Sequence, residues 1–259
     1  MAVSEKSQRT ADEQERDRAA VAALALAWFW DHQDELVARI KVAVATGKGF
    51  EGIVQAVMDE LTEQLAYAGV AAWSQARIRV AANVAKAVAV SPALRKLFPK
   101  DVRTYILEQL EAASEPEKLL AVFEEEAKVF TDTLAAFLNS HLRQGMTPEE
   151  VEAALEASGL AGGAYSIVSI YNTFTHDIYT DALRTFNVLE PVKSIFFGFE
   201  YVTMRDTRVR PTHRAADSLV AVAGDRETIL RFAKLLADWG CRCTLVALYA
   251  VPGSKPKLV

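Results

Sequence analysis

A mainly α-helical protein, with a long helical N-terminal region followed by a small α+β module, is what this sequence predicts. Three observations carry that expectation. The first two thirds are rich in alanine, the best helix former, and their apolar residues recur at helical spacing. After Pro191 the pattern changes to "SIFFGFEYVTM" (194–204), aromatic and β-branched with period-two alternation, which is the grammar of a strand. A helical pattern at 225–240, closed by Gly240, and a second strand-like run at 243–251 complete a small mixed module.

The elements follow in order. Residues 1–18 are polar and highly charged, and predict a flexible tail that a partner would order. A helix is expected from there to Ala45, with Val21, Leu24, Trp28 and Leu36 among its apolar positions. "TGKG" (46–49) ends it. That stretch has a trace of a phosphate loop, but without the full glycine spacing or a preceding strand it reads as a helix cap and turn. Ile53, Val57, Met58, Leu61 and Leu65 mark the next helix, which continues toward Val90. Two prolines in "SPALRKLFPKD" (91–101) break the pattern around a short helical turn.

Further helices are expected at 102–113 and 116–143. The second carries Phe123, Val129, Phe130, Leu134, Phe137 and Leu138, with His141 near its end complementing the helix dipole. "MTPEE" (146–150) is a helix start, with Thr147 as N-cap, Pro148 in the first turn and Glu150 as capping-box partner. A long helix at 164–187 places Val168, Tyr171, Thr175, Ile178, Ala182 and Phe186 on one face. His176 and Asp177 lie off that stripe and are expected to face solvent or a partner. The domain organisation expected is thus a tail at 1–18, a helical body at 19–190 and the α+β module at 191–259, with a frayed end at "PGSKPKLV".

Charge separates these parts. The chain carries a net −5, but from Glu200 onward ten Lys and Arg stand against six Asp and Glu, a balance of +4 that leaves −9 for the rest. An acidic helical body with a basic C-terminal piece implies two different surfaces and excludes a generic polyanion binder. Cys241 and Cys243 are the only cysteines, and a bridge between them would close a very small ring, so a secreted disulfide framework is not expected. The apolar run "AAVAALALAWFW" is too short to span a bilayer. Together these features predict a soluble protein made in a reducing cytoplasm.

Chemistry concentrates in "RDTRVRPTHRA" (205–215) and "CRC" (241–243). His213 has Asp206, Asp217 and Ser218 near it in sequence, but no nucleophile elbow accompanies them. A metal-independent nuclease using His213 as acid or base and arginines to hold a phosphate is one reading. His213, Cys241 and Cys243 also offer three ligands of the kinds zinc accepts, one short of a structural site. Arg205, Arg208, Arg210, Arg214 and Arg242 could instead meet nucleic-acid phosphates or a protein partner.

The order of these features resembles the C-terminal domain of the phage Mu F-type head morphogenesis family, the minor head proteins of tailed phages. The family pattern has an Asp-x-Arg turn, a Cys- or Pro-containing step to a His or Cys, an acidic residue, and later Cys-Arg-Cys. Its matching positions here are Asp206, Arg208, Pro211, His213, Asp217, Cys241, Arg242 and Cys243. The sequence departs from the pattern in three places. Ser218 stands where the family often has glycine, a helical pattern fills the spacer, and Arg210 and His213 replace a Cys-x-x-Cys step, leaving three candidate ligands.

The resemblance implies a non-enzymatic component of a phage or prophage particle, located in the capsid interior near the portal and in the host cytoplasm during assembly. Its implied partner is the portal protein, with the major capsid or scaffold protein and packaged DNA as further candidates and no membrane. It also implies a structural role for the motif residues, with Arg205, Arg210, Arg214 and Arg242 as outward contacts. The resemblance implies no cofactor; a structural zinc at His213, Cys241 and Cys243 rests on the ligand types alone.

Overall fold

The computed structural model describes residues 5–46, 50–112, 116–142, 165–207, 209–236 and 241–253. Among them are eight helices and a three-stranded antiparallel sheet near the C-terminus, so the expected fold class holds. The helices are α1 (Glu5–Thr46), α2 (Phe50–Val90), α3 (Pro92–Arg95), α4 (Val102–Ala112), α5 (Pro116–Leu142), α6 (Tyr165–Asn187), α7 (Pro211–Arg214) and α8 (Arg226–Leu236). The strands are β1 (Phe196–Val202), β2 (Val220–Val222) and β3 (Thr244–Tyr249). The expected helix start at 146–150, residues 47–49 of "TGKG", Arg208, and residues 237–240 and 254–259 lie outside the described residues.

The chain forms two compact units. One comprises Met1–Ala19, Ala72–Glu115 and His176–Val259, and the other Ala20–Ala71 and Pro116–Thr175. This division differs from the expected one of tail, body and C-terminal module, because the first helical turns belong with the sheet. The segment read as a flexible tail is helical from Glu5, and it buries Ser7, Ala11, Gln14 and Arg18. Those four positions follow the spacing i, i+4, i+7, i+11, one stripe of a helix.

In the second unit, Met58, Leu61 and Leu65 of α2 are buried, as their spacing predicts. On α5 the stripe Phe123, Ala127, Thr131 and Ala135 is buried, while Val129 points outward. The hydroxyls of Thr62 and Thr131 meet at 2.7 Å, so these buried polar groups satisfy each other.

The first unit is built around β1, the central strand of the order β2–β1–β3. Phe199 pairs with Ala221 and Ala247, and Tyr201 with Leu245. One face of the sheet is covered by α8. Phe199, Tyr201, Ala221 and Leu245 share a core with its Phe232 and Leu236. The other face takes the start of α1, where Ala11 packs with Val202 and Val246. Gln14 donates to the Leu245 carbonyl at 3.2 Å and accepts from the Thr244 hydroxyl at 2.8 Å. Because both faces are covered, β1 is buried from Gly198 to Val202 with no exposed alternate positions.

Short caps position the remaining helices. Ser91 accepts from the Leu94 amide at 3.3 Å with Pro92 in the first turn, and Asp225 accepts from the Thr228 amide at 3.1 Å to start α8. At the end of α6, the Tyr249 hydroxyl of β3 donates to Asn187 Oδ1 at 2.7 Å. Trp73 and Phe186 pack edge to face with ring centres 5.0 Å apart. His176, expected to face solvent or a partner, is buried at 3 % exposure, whereas Asp177 is exposed. The buried arc of α6 here runs through Thr175, His176, Ile178, Tyr179 and Thr180, wider than the single apolar stripe of the sequence.

Candidate functional site

The stretch 203–218 leaves the end of β1 and returns to it. Ser218 donates its amide to the Tyr201 carbonyl at 2.8 Å, and the Tyr201 amide donates to Leu219 at 2.9 Å. Within the loop, Pro211 occupies the first turn of α7, where its missing N–H costs nothing. Asp217 is the clamp. Its Oδ1 accepts from the Thr203 amide at 2.9 Å and the Thr203 hydroxyl at 3.1 Å, and its Oδ2 accepts from Arg205 Nε at 3.2 Å. Two residues beside this clamp hold left-handed backbone, Arg205 at φ 56° and Ser218 at φ 70°.

α7 turns His213 inward, to 2 % exposure. Its Nδ1 lies 3.0 Å from Tyr201 Oη, 3.6 Å from Cys241 Sγ and 3.5 Å from Cys243 Sγ. Both thiols are free and buried. The ligand atoms of His213, Cys241 and Cys243 all fall within 4.8 Å of one another, so this trio could hold a metal ion. As a pair the cysteines share their protons unequally. The hydrogen bond from Cys241 lowers the Cys243 thiol to about 6 against the cost of burial, with Tyr201 and His213 assisting. The same bond, with burial, holds Cys241 protonated, and burial above all raises the Tyr201 phenol.

The two halves of the motif meet. Asp206 forms an ion pair with Arg242, and His213 reaches both cysteines. Arg214 is exposed and donates to the carbonyls of Asp206 and Thr207 at 3.3 and 3.2 Å. Arg205 and Arg210 are exposed as well, Arg205 with its guanidinium on Asp217. Asp206 takes Arg242 as an ion-pair partner, and Arg208 lies outside the described residues. Thr203, Arg205, Asp206, Thr207, Arg214, Asp217 and Ser218 line an open groove on this surface.

The sequence conceals two contributors. Tyr201 was placed on a strand but not beside His213. The Ser7–Arg18 stripe was hidden because its residues are polar or small, although its helical spacing was present. Arg18, buried at 8 % exposure and ion-paired with Glu15, also feels the charge of Arg242.

No family model, curated protein or solved structure matches this chain. Among the described residues, no helix is long and apolar enough to cross a membrane.

Proposed function

We propose that this chain is a minor head protein of a tailed phage or prophage, a non-enzymatic component that binds the portal vertex inside the capsid and aids head assembly. The observation that carries the reading is the convergence of the motif's separated halves. His213 and Asp206 come from one side of β2 and α8, and Cys241, Arg242 and Cys243 from the other. They close into one knot through His213–Cys241, His213–Cys243 and Asp206–Arg242.

Ser218 adds a second support. The family resembled often has glycine after the acidic residue, and here that position holds φ 70°, backbone that glycine adopts without cost. A catalytic role for His213 fits poorly with its burial, because a general base must reach the proton it abstracts from a polymer. The outward-facing Arg205, Arg210 and Arg214 suit contact with a partner surface or with packaged DNA.

The test is the composition of assembled heads. Heads purified from a phage-producing lysate should contain the chain in fewer copies than the major capsid protein. It should co-purify with the portal when heads are dissociated. Finding the chain only outside heads, with normal heads formed in its absence, overturns the reading.

A further inference from the structure

We propose that His213 Nδ1, Cys241 Sγ and Cys243 Sγ bind one zinc ion, with Tyr201 Oη as the fourth donor, and that this ion staples the C-terminal α+β module. The three distances measured from His213 Nδ1 fit edges of a tetrahedral site. With Zn–S at about 2.3 Å and Zn–N at about 2.0 Å, the nitrogen–sulfur edge of a tetrahedron is about 3.5 Å. His213 Nδ1 stands 3.6 and 3.5 Å from the two sulfurs. The corresponding nitrogen–oxygen edge is about 3.3 Å, and Tyr201 Oη stands 3.0 Å from Nδ1.

Hydrogen bonds to His213 Nδ1 cannot serve all three of its neighbours at once. An imidazole nitrogen offers either one proton or one lone pair, yet three side-chain groups crowd His213 Nδ1. A cation among them takes lone pairs from all four atoms at once. The ligand types set the metal: two thiolates and an imidazole suit zinc rather than magnesium or calcium, which favour oxygen. Charge is compatible with burial, since two thiolates neutralise a dication. Both thiol protons leave to solvent on binding.

The staple would reinforce parts already joined by the β1–β3 pairing and the Asp206–Arg242 ion pair. Tyr201 lies one residue before the end of β1, His213 sits on the four-residue α7, and the cysteines lead into β3. The module's core is small, and a metal is a common way to stabilise such a scaffold. This inference does not rest on the head-protein reading, and a chain absent from heads would still bind the ion.

The full chain, purified under reducing conditions, should carry about one zinc. After chelator treatment and Co(II) loading it should show sulfur-to-cobalt charge transfer in the near ultraviolet and intense tetrahedral bands in the visible. C241S and C243S should each lose most of the charge-transfer absorption. Y201F should keep it but shift the visible bands, and an unshifted spectrum removes Tyr201 from the ligand set. Wild-type protein whose thiols are both reactive in denaturant, yet which holds no zinc and gives no cobalt spectrum, overturns the site. That outcome is read on the wild type, so misfolding of a variant does not blur it.

Discussion

The Ser7 hydroxyl donates a 2.6 Å hydrogen bond to the Glu200 carboxylate, joining the first turn of α1 to the middle of β1 across 193 residues. Glu200 is 4 % exposed, so this donor stands where water cannot readily replace it. Ala11 and Gln14, one and two turns further on, continue the same contact.

Removing that donor should therefore cost stability in a sheet nearly two hundred residues away along the chain. Ser7→Ala is expected to lower the unfolding free energy in urea by about 1–3 kcal/mol, the usual cost of stranding a buried polar group. Ala11→Asp, which places a carboxylate against Val202 and Val246, should cost more. Deleting residues 1–18 should leave the α1-facing side of the sheet uncovered and the product insoluble or poorly folded. A truncated chain with an unchanged urea midpoint would show that α1 is dispensable to the sheet.

The sequence made most of α1, α2, α4, α5, α6 and α8, with β1 and β3, readable because their apolar residues keep the right periods. It hid the docking of α1 because that face is made of Ser7, Ala11, Gln14 and Arg18, which composition assigns to solvent. It hid β2 because three residues, Val220–Val222, are too few to show alternation. The burial of His176 was not legible because burial on α6 follows tertiary packing, and Thr180 supplies a partner for its Nδ1 at 3.1 Å. The motif residues were visible one by one, but only the fold brings Tyr201 to them.

Gly198 gives the sheet a second vulnerable point. It lies at φ 158° beside the irregular register between Phe196 and Gly198, and a Cβ there would collide with the Ala221 carbonyl oxygen and lie 2.8 Å from Val222 Cα. These are backbone atoms of β2, which cannot swing aside as a side chain would. Gly198→Ala should separate β2 from β1 and destabilise the first unit by about 3 kcal/mol or more. Hydrogen exchange should locate the change: faster exchange at Tyr201 and Ala223, whose amides bond across this edge, with β3 amides less affected. Uniform protection in the variant would contradict the close approach.

Ser218 should respond in the opposite direction. Its φ of 70° costs a side-chain-bearing residue conformational energy that glycine does not incur. Ser218→Gly should raise stability by roughly 0.5–1 kcal/mol after the added freedom of the unfolded chain is counted. Asp217→Ala should lower it, since Thr203 and Arg205 lose their shared acceptor. A loss of stability on Ser218→Gly, measured by urea titration, would show that the serine side chain contributes more than its backbone costs.

His176 sets an acid limit on the first unit. Burial, and then the positive charge of Arg18, holds its ring well below the usual 6.5, so the folded chain keeps it neutral. Above pH 6.5 the ring is neutral in both states and contributes no slope. Below it, the unfolded chain takes up a proton that the folded chain refuses, so stability falls as pH falls, by up to about 1.4 kcal/mol per pH unit. His176→Gln removes the titration while leaving every carboxylate in place. The free-energy difference between wild type and variant should be constant above pH 7. Between pH 6 and 5 it should shift against the wild type at that slope, read from urea unfolding at each pH. A difference that stays constant down to pH 5 would show that the ring accepts its proton inside the fold.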